Sequence, residues 1–209
     1  MTAVRAPRSR HYDGAWYARL MDPFLSNLHG FVVDQVEQGL RVLDVGCGTG
    51  VLALRLAPKA AEVVGVELSP AMVEYARARL GEAALTNVSF VLGDAAHALA
   101  SRPNDCFDVA TMVLALHEMP AEARAPVLRE AARVARRVLC VDFRAPMALG
   151  LAGLRNRFFE MVAGLEHFRA FRDFQRRGGT PGVAGSAGLG CTHLRFVDSA
   201  TLDVCELRR

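Results

Sequence analysis

The sequence predicts a doubly wound α/β domain on a mostly parallel sheet, and three observations carry that prediction. Short β-branched runs alternate with helical stretches from Arg41 to Phe143. A glycine-rich turn, Gly46-Cys47-Gly48-Thr49-Gly50, joins the first run to the first of these helices, and an acid, Glu67, ends the second run. Strands alternating with helices at this spacing pack as a parallel sheet covered on both faces. The 209 residues suffice for one such domain and not for two of ordinary size.

Taken in order, residues 11–39 read as an N-terminal helical cap. Trp16, Leu20, Phe24, Leu28 and Phe31 fall near helical spacing there, with Pro23 interrupting. Residues 41–143 form the core, with strands at 41–45, 62–67, 88–92, 107–114 and 138–143. Helices follow at 49–56, after Ser69-Pro70, and over 121–135. Ser69 is the expected N-cap with Pro70 at the first helical position, and Gly81 the expected stop. Residues 146–177 read as one or two helices rich in Phe and Arg, a candidate lid, and Gly178 to Gly190 as a turning connection that completes a 146–190 segment. Residues 193–207 read as two strands around a turn at 198–201. The expectation is therefore one domain over 1–209, with seven strands ending in an antiparallel hairpin.

Composition excludes several classes. Hydrophobic residues at 52% and charged residues at 22% are the balance of a soluble globular protein. A net charge of +3 predicts no nucleic-acid partner. Cys47, Cys106, Cys140, Cys191 and Cys205 contain no CxxC pair, so no zinc or iron–sulfur set is read and no metal is expected. A cysteine trio suited to arsenic is not evident, because the five are dispersed. The Arg-rich start lacks the apolar core of a signal peptide, and no apolar run approaches the roughly 20 residues of a membrane span. A cytoplasmic location is expected, with peripheral membrane contact left open.

The chemistry is concentrated in Val42-Leu43-Asp44-Val45-Gly46-Cys47-Gly48-Thr49-Gly50. Glycines let the chain turn sharply and let a ligand approach the main chain, while the next helix start offers unpaired N–H groups to an anion. Glu67 follows at the interval expected of an acid that accepts hydrogen bonds from ribose hydroxyls. A dinucleotide fingerprint needs its third glycine three residues after the second, where this chain has Val51. Asp44 would repel a pyrophosphate and welcome an ammonium group. S-adenosylmethionine, with an ammonium, a carboxylate and no phosphate, fits better than NAD. No Gly-Lys-Ser/Thr follows, so a P-loop is excluded.

This loop resembles motif I of the class I S-adenosylmethionine-dependent methyltransferases, and the similarity runs in order through residues 41–143. The resemblance implies a Rossmann-like fold, S-adenosylmethionine as cofactor and S-adenosylhomocysteine as product. Val64 through Met72 resembles the second motif, which implicates Glu67 at ribose and Leu68 and Met72 at adenine. Val91-Leu92-Gly93-Asp94-Ala95 resembles the third, with Asp94 toward the adenine amino group and Gly93 and Ala95 beside it. The stretch from Phe107 to His117 resembles the fourth, in which Val113 lies beneath the methionine part. Asp44, Gly46, Gly48 and Gly50 complete the cofactor set; Cys47 also belongs to it through its backbone, as a packing residue and not a nucleophile.

The activated methyl needs chiefly alignment, and a base only where the acceptor must lose a proton. His117, just past the fourth strand, is the candidate for base or acceptor positioning. Motifs of exocyclic-amine and cytosine-C5 DNA methyltransferases are absent, which leaves a small-molecule or lipid-like acceptor, acidic or hydrophobic. The alternatives are a non-catalytic S-adenosylmethionine-binding regulator, or a protein or RNA methyltransferase. The N-terminal layout resembles the group around ubiquinone/menaquinone methyltransferases, which implies a cap over the cofactor through Tyr12. Tyr17, Arg144, His167 and Phe171 are substrate-pocket candidates, with Asp142 a further one. The turn before the fifth strand departs from that group, since Ala135-Arg136-Arg137 replaces Pro-Gly-Gly.

Overall fold

The computed structural model describes residues 18–19, 22–147, 150–162 and 164–209. Its elements are α1 (Asp22–Gln35), β1 (Arg41–Val45), α2 (Val51–Leu56), β2 (Glu62–Glu67), α3 (Pro70–Ala83), β3 (Val88–Leu92) and α4 (Ala95–Ala98). They continue with β4 (Val109–Val113), α5 (Ala121–Val134), β5 (Val138–Phe143), α6 (Leu151–Val162), α7 (Leu165–Arg176), α8 (Gly179–Ala187), β6 (Gly190–Val197) and β7 (Leu202–Arg208). The seven strands form one sheet in the order β3-β2-β1-β4-β5-β7-β6. β1 to β5 pair in parallel, and β7 runs antiparallel to both β5 and β6.

Val42, Leu43, Val45, Val109, Ala110, Met112 and every residue of β5 are buried, as expected of strands covered on both faces. Strand order reverses between β1 and β4, so the loops leaving their C-terminal ends diverge and open a crevice there. Ser69 caps α3 by accepting the Met72 N–H at 3.4 Å, with Pro70 first in the helix. The helix runs past Gly81 to Ala83 and stops where Ala84 turns left-handed (φ 50). Gly81 lies at an exposed position in ordinary helical backbone, so nothing there requires a stop.

The C-terminal region differs from expectation in one respect. The Gly-rich stretch is a helix, α8, and not a turning connection. Val183, Ala184 and Ala187 give it an apolar face buried in the common core. Gly178 (φ 84) and Gly188 (φ 75) form its two left-handed caps. A Cβ at Gly182 would lie 1.6 Å from the Arg177 carbonyl oxygen, so only glycine fits that turn. Packing thus overrides poor helix propensity. No helix among the described residues is long and apolar enough to cross a membrane.

Candidate functional site

At the end of β1 the chain turns through Gly46 (φ 71), Gly48 (φ 54) and Gly50 (φ 76). Gly46 leaves room for Ala115, whose Cβ would be 2.9 Å from a side chain there, while a Cβ on Gly48 would meet nothing within 4 Å. The crevice side of the loop is therefore open at Gly48 and closed by protein at Gly46. The Gly48 N–H donates to Glu67 Oε2 at 3.1 Å and the Ser69 N–H to Oε1 at 2.8 Å, which fixes the Glu67 carboxylate beside the loop. The carboxylate keeps acceptor capacity for a hydroxyl. Burial raises the Glu67 pKa against the opposing Ser69 and Gly48 N–H groups, with help from the Glu118 charge.

Asp44 is buried, and Thr111 Oγ1 donates to its Oδ1 at 2.9 Å. Its Oδ2 has no hydrogen-bond partner among the described residues. Burial pushes this carboxyl up to about 7, against the lowering effect of Thr111 and with the help of Glu67. A buried carboxylate oxygen left without a partner is expensive, and a ligand cation would relieve it. Thr49 in the loop donates in turn to Asp22 on α1 at 2.9 Å, so the N-terminal helix is tied to the cofactor loop.

The second group lies past β4. Leu114 adopts left-handed backbone (φ 52), which costs on the order of 1–3 kcal/mol and turns the chain toward α6 and α7. His117 is 2% exposed, and its Nδ1 lies 2.7 Å from Asp142 Oδ1 at the end of β5. Asp142 also accepts the N–H groups of Leu116 (2.9 Å), His117 (3.3 Å) and Phe143 (2.7 Å). The His117 Nε2 lies 3.6 Å from Glu160 Oε2 on α6 and 3.8 Å from Glu118 Oε1. His167 Nε2 on α7 lies 2.6 Å from the same Glu160 oxygen. Burial opposes charging of His117, but Asp142, Glu160 and Glu118 outweigh it and push its pKa up to about 9. Phe143, Phe171 and Phe174 pack edge-on around the imidazole. Arg124 on α5 staples the assembly, donating to the Leu116 carbonyl (2.9 Å), Asp173 (2.7 Å) and the Ala170 carbonyl (2.6 Å).

Asp44, Gly46, Gly48, Gly50 and Glu67 thus come together at the C-terminal ends of β1 and β2. Cys47 packs against Gly65, and burial raises its thiol well out of the reactive range. Asp94 caps α4 by accepting the Ala96 N–H at 3.0 Å, with Gly93 and Ala95 on either side of it. Met72 is buried at the start of α3 beside the half-buried Leu68, and Val113 ends β4. His117 lies near both His167 and Phe171, ring to ring. Arg144 does not join them, because its guanidinium lies over the Phe196 ring on β6 at 4.4 Å. Tyr12 and Tyr17 lie outside the described residues. Sequence reasoning missed Thr111, Glu118, Glu160 and Arg124. For Glu160 a signal existed: helical periodicity puts it on the same face as Asn156 and Gly153, opposite the apolar Leu154 and Phe158. Three of the five cysteines are less dispersed in space than in sequence, since Cys140 and Cys205 are direct cross-strand partners and Cys191 adjoins Cys205. That group lies away from the crevice, with Cys191 level with the start of β5.

The methyltransferase domain family matches residues 42–147, about half of the chain. An uncharacterized methyltransferase, YcgJ of Bacillus subtilis, is 38% identical over 109 residues, covering 51% of this chain and 42% of that protein. Demethylmenaquinone methyltransferase of Listeria welshimeri is 31% identical over 135 residues, covering 61% of this chain and 55% of that protein. The chain thus spans about half the length of these relatives. A SAM-dependent methyltransferase structure from Aquifex aeolicus superposes with a TM-score of 0.67 at 19% identity, covering 94% of this chain and 99% of that one. The chain belongs to the methyltransferase domain family and has the fold of S-adenosylmethionine-dependent methyltransferases.

Proposed function

From that membership as premise, we propose that the chain is an enzyme that methylates a small-molecule acceptor with S-adenosylmethionine. The observation that carries the reading is Asp44, a buried carboxylate beside the glycine-rich loop, one oxygen of which lacks a partner among the described residues. An α-ammonium group would complete it, and a phosphate would not. When bound, the cofactor supplies a methyl on a sulfonium sulfur, which an acceptor lone pair displaces in line to leave the neutral thioether, S-adenosylhomocysteine.

The chain's own residues do the holding. Asp44 receives the ammonium, the main chain at Gly48 approaches the ligand with no Cβ in the way, and Glu67 accepts the ribose hydroxyls. Leu68 and Met72 flank the adenine, and Asp94 takes its amino group. His117 positions the acceptor through Nε2, because Asp142 holds its other ring nitrogen and so fixes the ring. The aromatic wall of Phe143, Phe171 and Phe174 packs around the imidazole and keeps bulk water from the ring. Similarity to a demethylmenaquinone methyltransferase supports a small, partly apolar acceptor.

Calorimetric titration of S-adenosylmethionine and S-adenosylhomocysteine into wild type and Glu67→Ala tests the reading, with NAD as control. Saturable binding of both, lost or weakened by roughly 10- to 100-fold in the variant, is expected for charge-assisted hydrogen bonds worth about 1.5–3 kcal/mol. Folded wild type that binds neither ligand would overturn it.

A further inference from the structure

We propose that His117, Glu160 and His167 form a binding site for a divalent first-row transition metal at the acceptor end of the crevice. Each offers one ligand atom, and the three atoms lie within 4.8 Å of one another. With metal–ligand bonds of about 2.0–2.2 Å, donor atoms in such sites sit roughly 3.0–3.5 Å apart. The Glu160 oxygen lies 2.6 Å from His167 Nε2 and 3.6 Å from His117 Nε2, which brackets that spacing. Small side-chain movements would admit an ion.

Three further features point the same way. First, Asp142 takes the His117 Nδ1 side and is itself locked by three main-chain N–H groups. This leaves Nε2 facing Glu160, where an incoming ion would take the place of its proton, the carboxylate–histidine–metal arrangement in which an outer carboxylate orients a ligand. Second, α6 is inside out. It buries Asn156 and Glu160 and exposes Leu151, Leu154 and Phe158. Burying a carboxylate while leaving apolar side chains in water is costly unless the carboxylate is compensated inside. Third, among the described residues the charges that act on the His117 imidazole are the carboxylates of Asp142, Glu160 and Glu118. The nearby cation, Arg124, is engaged by Asp173. A divalent ion is the charge that such carboxylates hold well. Two imidazoles and one carboxylate favour Zn²⁺, Fe²⁺ or Co²⁺ over Mg²⁺ or Ca²⁺.

The ion's purpose rests on the methyltransferase reading. Ala115 lies against Gly46 of the cofactor loop, and Glu118 is electrostatically coupled to Glu67, so the cluster adjoins the methyl-donor site. With three protein ligands, coordination positions remain for an oxygen or sulfur of the acceptor, which the ion would hold as its conjugate base.

The test is equilibrium dialysis of the whole chain against Zn²⁺ with metal analysis, repeated with Co²⁺ to read its visible ligand-field absorption. One equivalent per chain is expected, with affinity lowered by roughly 10- to 100-fold or more in Glu160→Gln and His167→Gln, since loss of a direct ligand exceeds the loss of an outer one. Glu160→Gln keeps the shape of the side chain, and circular dichroism confirms its folding. His193→Ala disrupts the other group with ligand spacing, His193, Asp203 and Cys205, and is expected to leave the stoichiometry unchanged. Folded wild type that retains no zinc, or zinc lost only in His193→Ala, would overturn the proposal. S-adenosylmethionine titrated into the same samples separates the two readings: zinc bound at Glu160 without cofactor binding would sink the functional reading and leave the metal site standing.

Discussion

Residues 44–67 build the cofactor end mostly from main chain, with three left-handed glycines and two N–H groups fixing one carboxylate. Residues 116–174 build the proposed acceptor end from side chains, drawn from the loop after β4, the end of β5 and helices α5, α6 and α7. A backbone-built site depends on what is missing, namely Cβ atoms. A side-chain-built site depends on a network in which every donor has its acceptor. The first should break on adding atoms, and the second on exchanging one functional group for its isostere.

The largest effect is expected at Gly50. Its φ of 76 disfavours any side chain, and a Cβ would lie 2.6 Å from Phe90 Cζ and 2.9 Å from Ala76 Cβ. Gly50→Val should combine about 1–3 kcal/mol of backbone strain with a similar overpacking cost. The melting temperature should fall, and S-adenosylmethionine binding should disappear in calorimetry. Affinity kept within about tenfold of wild type would show that the loop is not the rigid cradle described.

A smaller and more selective effect is expected at Asp142. Its two oxygens accept three main-chain N–H groups and the His117 ring. In Asp142→Asn either orientation of the amide turns an NH₂ toward donors, at a cost of about 1–3 kcal/mol. Zinc affinity should drop by roughly 10- to 100-fold, while the S-adenosylmethionine dissociation constant stays put. Equal losses for both ligands would dissolve the distinction between the two ends.

The same difference explains what could be read from the sequence. A backbone site is contiguous in sequence, so the glycine spacing, Asp44 and Glu67 were all legible, and so were the five parallel strands and the closing hairpin. A side-chain site is assembled by topology. His117 and His167 stood out by residue type, but the periodicity that puts Glu160 on the Asn156 face of α6 does not say what that face meets, and the pairing of Arg124 with Asp173 crosses from α5 to α7. No local spacing encodes those meetings. The Gly-rich stretch misled for a related reason, because its helix is held by Val183, Ala184 and Ala187 in the core and not by its own propensity.

The subtlest test concerns Asp44, which shares the backbone-built end with the Glu67 carboxylate. Burial holds the Asp44 carboxyl near pH 7, well above its unfolded value. In the free protein its ionisation therefore opposes folding. The penalty is absent below the unfolded pKa of about 3.9, grows by about 1.4 kcal/mol per pH unit, and is complete above about 7. The ionised form is also the one that receives the ligand's ammonium. Affinity for S-adenosylmethionine should thus be level above pH 7 and weaken toward tenfold per unit below it. Asp44→Asn should reverse both trends: a higher melting temperature at pH 8 without ligand, and weak binding that no longer follows pH between 5.5 and 7. Calorimetry at three pH values and a thermal melt read both. A variant that binds normally, or a wild type whose affinity is flat across neutrality, would mean that Asp44 is not the ammonium's partner. The unpartnered oxygen would then be a cost the fold carries for some other ligand.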